Sequence, residues 1–225
     1  MRPRRWMSCG ALGGLWLALT CGPGFSAPGA VIDAAVTDDK GKPVEDAVVY
    51  VVSLPRADTP RSDVTMDQQD KEFIPYVLPI DMRTPVQFPN RDNIRHHVYS
   101  VSAAKKFDLP LYIGTPAHPV VFDKPGVVVL GCNIHDWMLA YVFVLPAPYF
   151  AKTGSDGKAR ITELPPGSHE VRMWHPRMRE STEKTGQQAA ASLTAPGQVT
   201  FTVQLKREWR VPRTPDRYGG AAPPN

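Results

Sequence analysis

One stretch limits the fold more than any other, residues 127–144, which read VVVLGCNIHDWMLAYVFV. Two short apolar runs, Val127–Leu130 and Leu139–Val144, are rich in Val and aromatic residues and read as buried strands. Between them lies a loop that carries Cys132, His135 and Met138 in the spacing Cys-x-x-His-x-x-Met. A cysteine at the end of one strand and a methionine at the start of the next are held by paired backbone, so the loop has little freedom.

A thiolate, an imidazole and a thioether form a ligand set that suits copper once a second histidine joins it. The candidate for that histidine lies in residues 86–100, VQFPNRDNIRHHVYS. His96 and His97 are adjacent on an expected strand, so they face opposite sides and only one can join the set. Zinc is the competitor, because one Cys and two His suit it as well. Met138 favours copper, since a thioether is a poor zinc ligand and a good Cu(I) ligand.

The chain begins with Arg2, Arg4 and Arg5, an apolar run Ala11–Thr20 and small residues up to Ala30. This reads as a secretory signal peptide over residues 1–27, too short to span a membrane. Its removal takes three arginines from the 26 basic residues and none from the 22 acidic ones, which lowers the net charge from +4 to +1. So near-neutral a balance gives no footing for a nucleic-acid partner. Cys9 and Cys21 leave with the signal, so Cys132 becomes the sole cysteine of an exported protein. Without a disulfide partner in an oxidising compartment, it needs burial or a metal.

The rest of the chain reads as strands and turns, with no amphipathic helix. Val31–Leu54 is strand, turn, strand, and residues 65–90 carry strand pieces at Phe73–Leu78 and Pro85–Phe88. Lys105–Pro125, with four prolines, reads as a loop-rich bridge. Beyond a Pro-Ala-Pro boundary at 146–148 come strands at Ala159–Leu164 and His169–Trp174, and a polar loop at Arg177–Gly186. Val199–Lys206 alternates cleanly, and residues 207–225 form a Pro-, Gly- and Arg-rich tail read as disordered. Residues 28–57 and 148–206 each hold too few strands for a core, so they are expected to form one split sandwich around residues 58–147. The alternative is one larger sandwich in which the N-terminal pair joins residues 58–147.

Phe88, Asn90, His96, Val98 and the Cys132–His135–Met138 spacing resemble the cupredoxins, the blue-copper fold of plastocyanin and amicyanin. The resemblance covers roughly residues 60–147, and the chain as a whole resembles exported bacterial proteins labelled "methylamine utilization protein". Residues 28–57 and 148–206 resemble the transthyretin-like sandwich of carboxypeptidase regulatory domains. The resemblance implies an all-β protein, a cupredoxin Greek-key β-sandwich combined with a second, smaller transthyretin-like β-sandwich. It implies one type 1 copper per chain, held by His96, Cys132, His135 and Met138. His97 stands where cupredoxins carry an Asn that ties the ligand loops together; in that place it can donate to the Cys132 loop in the same manner, or titrate, which Asn cannot. Asn133 and Ile134 also depart from the amicyanin loop, which has Pro there. The implied function is a periplasmic one-electron carrier, not an enzyme, served by a redox partner protein such as a dehydrogenase or a cytochrome. The alternative is a periplasmic copper-handling protein. Ile134 and Trp137 flank His135 as a candidate apolar docking patch.

Overall fold

A computed structural model describes residues 29–52, 63–146 and 148–207. The expected signal peptide lies outside the described residues, as does almost all of the expected tail. In chain order the first strands are β1 (Ala30–Asp38), β2 (Val48–Val51), β3 (Val64–Thr65), β4 (Asp67–Gln69), β5 (Glu72–Ile74) and β6 (Val77–Asp81). Then come β7 (Pro85–Gln87), β8 (His96–Ser102), β9 (Lys105–Tyr112), β10 (Val120–Val121), β11 (Gly126–Cys132) and β12 (His135–Leu145). The last are β13 (Phe150–Lys152), β14 (Lys158–Leu164), β15 (Gly167–Trp174), β16 (Gln187–Ala191) and β17 (Gly197–Val203). The protein is all-β, and the one helical element among the described residues is a 3-10 turn at Thr182–Thr185.

The strands gather around two apolar cores. β1 pairs with β14 and β17, and β2 pairs with β13 and β15, so the N-terminal strands take their partners from the C-terminal part of the chain. These two sheets enclose Ile32, Val36, Val49, Ile161, Met173 and Phe201. The second core, which holds Met66, Phe88, Val98, Phe122, Leu130 and Val142, belongs to residues 63–146. Its main sheet runs β6-β12-β11-β8-β9 and faces the smaller sheet β10-β7-β3 and the β4–β5 hairpin.

β12 belongs to both cores because side chains alternate across a strand. Ala140, Val142 and Val144 point into the second core, while Phe143 and Leu145 point into the first. Phe143 meets Trp174 at 4.7 Å and Tyr50 at 5.5 Å between ring centroids. Tyr141 meets Trp174 at 6.0 Å and Tyr76 at 5.5 Å. Such pairs add about 0.5–1.5 kcal/mol each beyond the area they bury. The strand that opens on His135 is therefore braced along its far half by the other sandwich.

Three local expectations change. The bridge expected at Lys105–Pro125 contains the eight-residue strand β9, paired along β8. Pro110 is tolerated because β9 is the outer strand of its sheet, where a missing N–H removes no ladder bond. Pro79 sits inside β6, the opposite edge, for the same reason, and the strand expected at Phe73–Leu78 is interrupted at Pro75 and Tyr76, between β5 and β6. The polar loop expected at Arg177–Gly186 includes the 3-10 turn, and β16 follows directly in a segment with little apolar signal, QQAAA.

Candidate metal centre

β11 ends on Cys132 and β12 begins on His135, and these two residues pair across the hairpin. Asn133 and Ile134 alone make the turn, so the link between the ligand positions is tighter than the loop expected from sequence. A register shift between Gly131 and Cys132 marks the end of regular pairing. On the neighbouring strand, β8 opens on His96. Antiparallel pairing of β11 with β8 brings that end beside the hairpin, with Gly131 opposite Tyr99.

Three side chains converge there. His96 Nδ1 lies 3.1 Å from His135 Nδ1, and Cys132 Sγ lies 3.6 Å from His135 Nδ1. One ligand atom from each of His96, Cys132 and His135 falls within 4.8 Å of the other two. Donors about 2.0–2.3 Å from a shared ion and spread in a plane would stand about 3.5–3.8 Å apart, so the spacing fits one metal ion. Among the described residues this is the one group of His, Cys, Asp and Glu side chains so arranged. His96 and Cys132 are buried at 0 % and 4 % exposure, and His135 is half-buried. Met138, 2 % exposed, lies three residues beyond His135 in the same core as Cys132.

The surroundings favour the charged form of Cys132, His96 and Asp92; for the cysteine that is the metal-binding form, whereas His96 has to give up a proton to bind. Burial opposes the Cys132 thiolate. The hydrogen bond from His96 and the backbone N–H groups of His97, Ile134 and His135 outweigh it, and the thiol pKa lies below its usual value. Burial also opposes the charged His96 ring, but Cys132 and Asp92 together hold its pKa above the ordinary histidine value. Asp92 is held as a carboxylate, because His96 and the backbone N–H groups of Lys71 and Asp70 overcome its own desolvation. The thiolate is the form of cysteine that binds metal.

Of the two adjacent histidines, His96 faces the cluster and His97 faces out. His97 Nε2 lies 2.8 Å from Asp108 Oδ1 on β9. Of the alternatives open for His97, donation from its side chain to the Cys132 loop is not the one seen; its backbone N–H serves Cys132 instead. Alternation along β8 forces this exchange of roles. Asn90, buried, orders the approach to His96: its Nδ2 donates to the carbonyls of Ile94 and Tyr112, both at 2.8 Å, and its Oδ1 accepts from Asp92 N. Asp92 Oδ2 sits 2.6 Å from His96 Nε2, a contact that the sequence reading missed. The signal was an acidic residue four positions before the histidine, in a segment with no periodicity to fix its direction.

Trp137 is half-buried, its ring 5.2 Å from that of His135 and its indole N–H 3.2 Å from the Lys71 carbonyl. Of the two residues expected to form an apolar patch, Ile134 is the exposed one, at 49 %. His169 and His175 are buried in the other sandwich, outside the cluster.

No family model matches the sequence, and no match is found among curated proteins. Among solved structures, the chain is similar to a Cu-containing nitrite reductase from Thermus scotoductus, with 26 % identity over 42 % of this chain and a TM-score of 0.36. That match spans a quarter of the nitrite reductase, 25 % of its length. The reduced Cu(I) form of an amicyanin point mutant matches over 43 % of this chain and 98 % of its own, with 18 % identity and a TM-score of 0.35. A purple cupredoxin from Nitrosopumilus maritimus matches over 37 % of this chain and 99 % of its own, with 22 % identity and a TM-score of 0.32. These likenesses are partial in extent, and the chemistry of the centre rests on its own side chains.

Proposed function

We propose that this chain is an exported, periplasmic type 1 copper protein that carries one electron at a time and catalyses no reaction itself. The observation that carries the reading is the convergence of His96 Nδ1, His135 Nδ1 and Cys132 Sγ at the end of one sheet. In this reading His96, Cys132 and His135 would hold one copper ion, and Met138 would add a weak thioether donor. Bound copper would supply a reversible one-electron couple. The chain supplies the rest. The β11–β12 hairpin fixes Cys132 and His135 by backbone pairing, and β8 fixes His96, so the donors move little between oxidation states. The second core excludes water from Cys132 and Met138. His135, the half-buried ligand, with exposed Ile134 beside it, forms the side on which a redox partner protein such as a dehydrogenase or cytochrome would approach.

The competing reading is copper handling, in which the same donors pass Cu(I) on. Burial of His96, Cys132 and Met138 speaks against easy exchange. The test cycles the copper-loaded mature chain between oxidised and reduced forms in the presence of a strong Cu(I) chelator. A carrier keeps its copper and a constant potential through many cycles. Loss of copper to the chelator within the first reduction would overturn the carrier and favour handling.

A further inference from the structure

The β4–β5 hairpin lies against the metal centre from the side remote from the converging donors. Its turn is Asp70–Lys71, since Gln69 pairs with Glu72. Both turn residues have positive φ, 55° and 59°, the left-handed pair that a two-residue hairpin demands. Residues with a Cβ adopt that conformation reluctantly, and neither position is glycine. The hairpin is stitched to residues 89–91, in the segment that leads to His96. Gln68 N donates to the Pro89 carbonyl, Arg91 N donates to the Gln68 carbonyl, and Arg91 Nε lies 2.7 Å from Asp67 Oδ1.

The turn aims its polar backbone at the surroundings of both histidines. Asp70 N donates to Asp92 Oδ1 at 2.7 Å, and Lys71 N donates to Asp92 Oδ2 at 2.9 Å. Asp92 Oδ2 in turn sits 2.6 Å from His96 Nε2. A carboxylate there keeps the proton on Nε2, so that the Nδ1 lone pair faces the cluster. The Lys71 carbonyl accepts the Trp137 indole N–H, and that ring packs on His135.

We propose that the β4–β5 turn is a clamp for both histidines of the metal centre: it fixes the Asp92 carboxylate that orients His96, and it fixes the Trp137 ring that holds His135. The inference rests on the metal-centre reading above. Asp92 and Trp137 act through the histidines and are positioning residues. A carboxylate on His96 Nε2 makes the ring a stronger donor, which favours Cu(II) over Cu(I), so the clamp lowers the reduction potential as well as tightening metal binding.

The test compares the mature chain with Asp92→Asn and Trp137→Phe, each checked for folding by near-UV circular dichroism before metal is added. Three quantities are read: Zn(II) and Cu(II) affinity, reduction potential with copper, and the His96 Nε2–H proton resonance in the Zn(II)-loaded form. Asp92→Asn is expected to weaken Zn(II) and Cu(II) binding roughly 10- to 100-fold. It should raise the potential by about 59 mV for each tenfold loss of Cu(II) affinity relative to Cu(I). The slow-exchanging, deshielded Nε2–H signal should be lost. Trp137→Phe leaves a smaller aromatic ring beside His135 and removes the bond to Lys71, and it is expected to speed Zn(II) release several-fold while sparing the His96 proton signal. If the parent chain binds metal and Asp92→Asn shows the same affinity, potential and proton signal, the clamp is wrong while the centre stands. If Asp92→Asn does not fold, an unchanged Zn(II) release rate in Trp137→Phe overturns the clamp. A parent chain that takes up neither metal overturns the metal-centre reading and the clamp with it.

Discussion

Met138 is buried in the same core as Cys132, three residues beyond His135 on a strand whose far half is pinned by aromatic packing. Leucine matches its volume, so Met138→Leu is expected to cost less than about 1.5 kcal/mol of stability. Loss of the thioether leaves Cu(II) with one donor fewer and favours Cu(I). The potential of Met138→Leu should therefore rise while the thiolate-to-copper absorption persists, a pair of readings that voltammetry and a visible spectrum supply. An unchanged potential would remove Met138 from the ligand set. His97→Ala, measured in the same way, should leave both readings nearly as they are, because its ring serves Asp108 on the outer face. At this scale the sequence was legible where ligands lie close together along it: Cys132, His135 and Met138 span one turn and the start of a strand. Asp92 was not legible, because its direction is set by Asn90 and by backbone N–H groups of a hairpin more than twenty residues earlier.

β12 is the element that joins the two halves of the protein. Its odd-numbered residues Phe143 and Leu145 fill one core and its even-numbered residues Val142 and Val144 fill the other. Phe143→Ala should cost about 3–5 kcal/mol, read as a lowered denaturant midpoint, since it empties a site between Tyr50 and Trp174. A loss below about 1 kcal/mol would mean that the two sandwiches are not packed through β12. The apolar run of β12 announced a buried strand, but a strand buried on both faces has no alternation to say which core each face meets. β9 and β6 were hidden for another reason. Proline counts against a strand in any local reading, and only the finished sheet reveals that Pro110 and Pro79 lie on its two edges. β16 was hidden because QQAAA carries no β-branched residue; its pairing with β15 makes it a strand.

For the whole molecule, the N-terminal strands pair with the C-terminal ones, and residues 63–146 carry the metal centre between them. β2 and β13, the strands on either side of that segment, are direct neighbours, Tyr50 opposite Phe150. The described strands on either side of the segment therefore lie side by side in the other sandwich. No helix among the described residues is long and apolar enough to cross a membrane. The centre lies at the hairpin end of the five-stranded sheet, with Ile134 exposed beside it. The central claim is that Cys132 binds copper as a thiolate together with His96 and His135. Visible absorption and electron paramagnetic resonance of the Cu(II)-loaded mature chain, beside Cys132→Ser, test it most directly. The account predicts an intense thiolate-to-copper band and narrow copper hyperfine splitting, both absent in Cys132→Ser. A colourless parent chain that takes up only Cu(I) or zinc, or a band that survives in Cys132→Ser, would contradict it.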